Sequence, residues 1–354
     1  MKKNVFTYLL FAISVGMMVS CEPSNDSPEV EINSVSGVYI TNEGGYENNN
    51  GSVSYYDIAN NSVLTDPYKT KNGTSVGDIV QSFSIVSDSL GLIAANNSNQ
   101  VKLIRIKDFS LINSCEINYP RYSLQIDANR VYVTRGSNAG TVEIINLKTM
   151  QVTGSIPVQN GPEHLVKSEN YVFVANSGGW GQDSTVSVID IATNKVTKRL
   201  KVCENTINLT VDDDGNVWVL SKGSYKYTPT PISGQSSIAK IDIKTLTVTE
   251  SVKIGKVGDS YMPIQFSISP DKKTLYFTEV EGVYTLNIAS KVISTNPIIA
   301  GNFYGMNVNP STGDIYTFVV SGFTSPGTMY IYDSKGVVKT SKQVGIYPNG
   351  AIFK

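Results

Sequence analysis

The chain holds one histidine, His164, and three cysteines, Cys21, Cys115 and Cys203. A Ser-His-Asp relay would have to be built on His164 alone, and a histidine-rich zinc site has no second imidazole to draw on. No Cys/His spacing typical of metal ligation occurs. Asp212-Asp213-Asp214-Gly215-Asn216 superficially resembles a calcium loop. It lacks the later bidentate glutamate, and it sits where a hairpin turn is required. No set of acids singles itself out, so neither a catalytic group nor a cofactor is expected. His164 lies in Gly161-Pro162-Glu163-His164 at the start of a strand. It either borders a channel mouth or serves as a hydrogen-bonded loop histidine.

The chemistry left to this sequence is recognition. Tyr46, Trp180, Tyr225, Tyr227, Tyr261 and Tyr304 offer rings for stacking and apolar contact, and Tyr122 and His164 lie close to them in the same repeat frame. Arg121, Asn97, Gln81 and Asn349 offer donors and acceptors suited to amides or phosphate. Further rings stand on the same loops and interblade connections: Tyr119, Phe303, Phe323 and Tyr347. Aromatics interleaved with Asn, Gln and Gly suit a large, flat, partly polar ligand.

The elements that must position these residues form a repeat. Val38-Tyr39-Ile40, Leu92-Ile93-Ala94, Val131-Tyr132-Val133, Val172-Phe173-Val174, Val217-Trp218-Val219, Leu275-Tyr276-Phe277 and Ile315-Tyr316-Thr317 recur along the chain. Their mean spacing is about 46 residues, with four short alternating runs per period, which is the signature of a propeller blade. The expectation is an all-β, seven-bladed β-propeller with four-stranded blades spanning residues 35–354. Blade 1 would take strands from Gly37–Thr41, Gly51–Asp57 and Ser62–Tyr68. It lacks an innermost strand of its own, and Asn349–Lys354 reads as one, so the C-terminal strand should close the ring and remove an exposed edge.

Six third strands end in Asp or Asn: Asp57, Asn146, Asp190, Asp242, Asn287 and Asp333. Asx side chains at such places bond the backbone of the turn that follows. The aromatic residue in the second strands should pack between blades. In a four-stranded meander, strand 2–3 turns and blade-to-blade connections share one face, while strand 1–2 and 3–4 turns share the other. The first set is long and aromatic, the second short, so the first marks the binding face.

The N-terminus reads as an address. Lys2 and Lys3 precede an apolar stretch from Val5 to Val19, and Met18-Val19-Ser20-Cys21 has the form of a lipoprotein signal with Cys21 as the lipidated residue. Residues 1–20 would be removed and 21–34 would form a flexible tether. The mature chain then carries a net charge of −3 with no Lys/Arg run, which gives no footprint for a nucleic-acid partner. Cys115 and Cys203 fall at the ends of blades 2 and 4, too far apart for a disulfide.

Tyr39-Ile40-Thr41-Asn42-Glu43-Gly44, Gly51-Ser52-Val53-Ser54-Tyr55-Tyr56-Asp57 and Val76-Gly77-Asp78-Ile79-Val80-Gln81-Ser82 resemble the opening of a family of Bacteroidetes lipoproteins similar to YncE-like seven-bladed propellers. The run VIDIATNKV, from Val188 to Val196, fits the same repeat. The resemblance covers residues 35–354. It implies an outer-membrane, lipid-anchored, surface-exposed protein. Some members of that family capture cobalamin for a TonB-dependent outer-membrane transporter. A corrinoid (vitamin B12) ligand and a transporter partner are therefore the expectation. The alternative is a glycan- or protein-binding propeller accessory to nutrient uptake. An enzyme such as a metal-dependent lactonase would instead require three or more acids converging in the channel. The resemblance carries over no ligand motif residue by residue, so the site rests on loop placement.

Overall fold

The structure, a computed structural model, describes residues 30, 32, 36–136, 139–224, 234–257 and 265–354. The tyrosines at 225, 227 and 261, Cys21 and the expected signal segment lie outside the described residues. Among the described residues no helix is long and apolar enough to cross a membrane.

Seven four-stranded antiparallel sheets form a ring, the seven-bladed propeller. Burial sorts the strands by position. A second strand such as Tyr171–Asn176 (YVFVAN) is flanked by blades on both faces and is apolar almost throughout, whereas a fourth strand such as Lys195–Lys201 (KVTKRLK) is largely solvent-facing. Seven apolar clusters of described residues fill the gaps between neighbouring blades, one cluster per gap. The repeated aromatics sit in them: Tyr39, Tyr132, Phe173 and Trp218 are at most 1% exposed. Truncating such a ring to alanine costs about 3–5 kcal/mol in a packed core.

Blade 1 takes its innermost strand, Pro348–Phe353, from the C-terminus. That strand pairs antiparallel with Gly37–Asn42, matching Val38 to Phe353, Tyr39 to Ile352 and Ile40 to Ala351. No blade-1 edge is left for the ring to expose at this seam.

The expected Asx turns form. Asp57, Asn146, Asp190, Asp242, Asn287 and Asp333 each accept backbone N–H groups from the residues two to four positions on. The Asp212 turn is a hairpin turn as well. Its carboxylate accepts from the backbone N–H of Asp214 and Asn216 and, at 2.9 Å, from Nε1 of buried Trp218, so it anchors a core ring. Cys115 and Cys203 are free thiols.

Three details of the strands and loops depart from expectation. The blade-1 strand expected over Ser62–Tyr68 stops at Leu64, and a helix spans Pro67–Asn72. Asp66 caps it by accepting from Lys69 N–H, Pro67 supplies the fixed φ of a first helical residue, and Gly73 ends it in the left-handed region. Blade 6 reverses the loop asymmetry: its strand 2–3 turn is the tight hairpin between Glu279 and Gly282, while Ile288–Ile298 makes the long 3–4 connection. Pro297, which has no N–H to give a ladder, precedes the two-residue outer strand Ile299–Ala300. Phe303, expected on the loop face, is 5% exposed and packs between blades 6 and 7. In the expected tether, Val30 is buried and Ile32 donates its N–H to the Lys107 carbonyl at 2.7 Å, packing on the blade 1–2 cluster.

Candidate functional site

One face of the ring opens into a funnel of about 850 Å³. It is walled by the entry ends of the innermost strands and the strand 2–3 loops, the face expected from loop length.

A single backbone device, repeated in blades 1 to 5, builds that wall. Just ahead of each innermost strand stands a residue in the left-handed region: Tyr347, Ile79, Tyr119, Gly161 and Asn205, with φ between 50° and 59°. Its carbonyl accepts the N–H of the first residue after strand 2, namely Glu43, Asn96, Gly136, Ser177 and Lys222 respectively. The innermost strand then carries one residue more than its partner: Asn349, Gln81, Arg121–Tyr122, Glu163–His164 and Ile207 lie at the five bulges. A bulge re-aims a side chain that regular pleating would send between the blades. Here every bulged residue borders the funnel. A β-branched residue such as Ile79 is strained at positive φ, and its recurrence in five blades makes the device part of the repeat's architecture at this face.

The wall's polar groups are tied to one another across blades. Arg121 reaches from blade 3 to blade 4, where its Nε and NH2 lie 2.8 and 2.7 Å from Glu163 Oε2. Ser177 donates to Glu163 Oε1 at 3.2 Å, tying the pair to the loop that carries Trp180. Gln81 Nε2 donates to the Tyr122 hydroxyl at 3.1 Å. The Tyr122 and His164 rings stack with centroids 3.6 Å apart and planes 29° from parallel. At the seam of the ring, Glu43 accepts from the Tyr304 hydroxyl at 2.8 Å and from Asn349 Nδ2 at 3.0 Å. Asn349 also pairs with the Thr41 hydroxyl. Asn97 Nδ2 donates to Asp78 at 2.6 Å, just behind the rim.

Burial sets the charge states. The Glu43 carboxyl is raised above the ordinary carboxylate range by desolvation, partly offset by its bonds to Tyr304 and Asn349 and by the Arg121 charge. Burial works against a charged Arg121, but the neighbouring Glu163 carboxylate more than compensates and the guanidinium stays ionised. His164 is pushed down to about 3, first by burial and then by Arg121, so the imidazole is neutral near pH 7. The Tyr122 and Tyr304 phenols are driven upward chiefly by burial, so both remain protonated donors.

Above this floor the rim carries rings in water. Trp180 is 87% exposed and Tyr46 65%. Phe323 stacks on Tyr347 at 5.1 Å, and Tyr347 meets Tyr304 edge-on at 5.0 Å, a line of rings running from rim to floor.

Of the residues singled out in the sequence, Tyr46, Gln81, Asn97, Arg121, Tyr122, His164, Trp180, Tyr304 and Asn349 all border this one funnel. Arg121, Asn97, Gln81 and Asn349 each already have a protein partner, so they act on a ligand as oriented groups with only their remaining hydrogens and lone pairs free. Sequence reasoning passed over Glu43 and Glu163. Two signals point to them: the run Tyr-Pro-Arg, Gly-Pro-Glu, Tyr-Pro-Asn at 119–121, 161–163 and 347–349 marks bulge entries, and Glu43 opens a long strand 2–3 loop. The funnel thus receives two carboxylates, each held by protein donors. No cluster of three or more His, Cys, Asp or Glu side chains able to hold a metal occurs among the described residues.

Several solved structures share this architecture. A periplasmic gluconolactonase of Pseudomonas aeruginosa is 13% identical, with 89% of this chain and 99% of that one covered at a TM-score of 0.65. A quinoprotein alcohol dehydrogenase-like protein of Bacteroides thetaiotaomicron is 16% identical over 90% and 78%, with a TM-score of 0.63. A hydrazine synthase chain of Kuenenia stuttgartiensis is 16% identical over 79% and 91%, with a TM-score of 0.61. At such identities the likeness is one of fold. No curated protein matches the chain. A family model described as a domain of unknown function (DUF5074) matches residues 36–354, and the chain belongs to that family.

Proposed function

We propose that this member of the DUF5074 family is a capture protein rather than an enzyme, binding a large, partly polar small molecule in the funnel. The observation that carries the reading is the convergence of nine aromatic, polar and charged side chains on one cavity whose polar floor is internally braced and whose rim is aromatic. A volume of about 850 Å³ falls within the roughly 300–1,000 Å³ of small-molecule sites. Bracing lowers the ordering cost of binding. Two carboxylates already engaged by Tyr304, Asn349 and Arg121 suit hydrogen bonding to a ligand better than metal-assisted hydrolysis.

A corrinoid is the ligand class that best combines these demands. It presents a flat ring for Trp180 and Tyr46 and amides for Arg121, Gln81 and Asn349. The Met18–Cys21 signal supports a lipid-anchored, outer-membrane protein facing outward, handing its cargo to a TonB-dependent transporter. The exposure of Trp180, Tyr46 and Phe323 also favours a second reading, a glycan stacked on the rim.

Isothermal titration of the purified protein with cyanocobalamin separates the two. Saturable binding tighter than about 1 μM, about −8 kcal/mol, is expected. Absence of heat together with failure of the coloured ligand to co-elute on gel filtration would remove the corrinoid reading and move the search to glycans.

A further inference from the structure

His164 is the only imidazole in the chain, and the arrangement around it is unusual for a structural histidine. His164 is half-buried, and its nitrogens are not among the buried unsatisfied atoms. It makes no hydrogen bond to any described residue; its contact is the face of Tyr122. It stands at a β-bulge that turns it into the funnel, and the Gln81–Tyr122 bond fixes the ring it leans on. Arg121, ion-paired to Glu163 one residue before it, lines the same stretch of wall. The result is an imidazole held by stacking at the funnel wall, with no hydrogen bond to a described residue.

We infer that His164 is a coordinating residue: its free ring nitrogen binds the metal centre of the funnel's ligand at an exchangeable axial position. The inference rests on the corrinoid reading and names how that cargo is held. In the exchange, the bond between the metal and an axial water breaks and a metal–nitrogen bond forms. Water leaves intact. A neutral imidazole coordinates through the nitrogen that carries no hydrogen, so no proton moves, and the metal keeps its oxidation state, so no electron moves. Imidazole is the commonest protein ligand for transition metals, so the lone pair needs no further activation. Tyr122 orients the ring from behind, as outer partners orient metal-bound histidines elsewhere.

The test uses two probes, aquocobalamin, whose axial water exchanges, and cyanocobalamin, whose axial cyanide resists displacement. Wild-type protein is expected to bind both, with the visible spectrum shifting only for aquocobalamin. His164→Phe keeps a ring against Tyr122 but has no lone pair. It should lose the spectral shift and weaken aquocobalamin binding at least tenfold more than it weakens cyanocobalamin binding, about 1.4 kcal/mol. Circular dichroism confirms that the variant is folded, and His164→Gln provides a second variant if it is not. Binding of aquocobalamin by wild type without a shift, or a shift retained in both variants, overturns the coordination while leaving capture intact. Binding of neither probe overturns the corrinoid reading and the coordination with it.

Discussion

Arg121 and Glu163 bridge neighbouring blades across the funnel floor, with Nε and NH2 of the guanidinium both directed at Oε2 of the carboxylate at 2.8 and 2.7 Å. The pair joins two β-bulges, so it fixes the mutual position of the residues beside them, Tyr122 and His164. Because the side chains keep 30% and 13% of their exposure, funnel water moderates the charge cost. Arg121→Leu or Glu163→Leu alone is expected to destabilise by about 1–3 kcal/mol, since either leaves an uncompensated charge. The double variant should recover part of the loss. Urea midpoints for the four proteins of the cycle test this, and strict additivity would show that the pair is not coupled.

Gly161 occupies the left-handed region at φ 59°, and a Cβ there would lie 2.0 Å from the Gly179 nitrogen. That atom is backbone and cannot swing aside. Gly161→Ala should therefore displace the loop Ser177–Ser184, at a cost of about 1–3 kcal/mol from the conformational penalty and the clash together. Ligand affinity should fall more than stability does, because Trp180 rides on that loop. Thermal melting and calorimetry on the same preparation separate the two effects.

The pH dependence of stability carries the mark of His164. Its folded value of about 3 lies below the 6.5 of an unperturbed imidazole, so between these values the unfolded chain binds the additional proton. Stability must then decline as pH falls through that window. Glu43 acts in the opposite sense, since its raised carboxyl takes up a proton in the folded state first, a contribution lost as pH rises through the folded value. Comparing wild type with His164→Phe isolates the imidazole. The variant's melting temperature is expected to drop less between about pH 7 and about pH 4.5. Equal drops would mean that His164 is solvated and titrates normally.

Trp180, at 87% exposure, has almost nothing to lose on truncation. Trp180→Ala should change stability by less than about 0.5 kcal/mol. Its effect on ligand affinity should exceed tenfold, in line with exposed aromatics that anchor a partner. An unchanged dissociation constant for the bound ligand would place the contact elsewhere on the rim.

Much of this architecture can be read along the chain because it is local. The Asx turns are written in Asp190-Ile-Ala-Thr193 and Asp242-Ile-Lys-Thr245, where carboxylate and partner are three residues apart. The apolar character of second strands follows from burial on both faces, which any window of six residues reveals. The funnel floor is different. Glu43 meets Asn349 across 306 positions, and Tyr304 across 261. Neither partner could be assigned before the ring's closure was worked out to the residue. The bulges escaped notice for a related reason, since an extra residue in one strand is visible only against its partner's count. In the Pro67 helix, a capping sequence overrode the alternation of the preceding strand. No 3–4 connection in the other blades approaches the length of Ile288–Ile298 in blade 6, so the repeat itself could not supply it.

The seam between Gly37–Asn42 and Pro348–Phe353 also governs the order of events during biosynthesis. Thr41 and Gly350 are 309 residues apart, yet they are neighbours in the finished sheet. While the chain emerges, strand Gly37–Asn42 has no innermost partner and waits as an open template until residues 348–353 have been made. Pairing at such long sequence separation is slow. The ring is thus sealed only after Pro348–Phe353 has been made, and a chain clipped near residue 348 would keep an early strand available to another copy of itself.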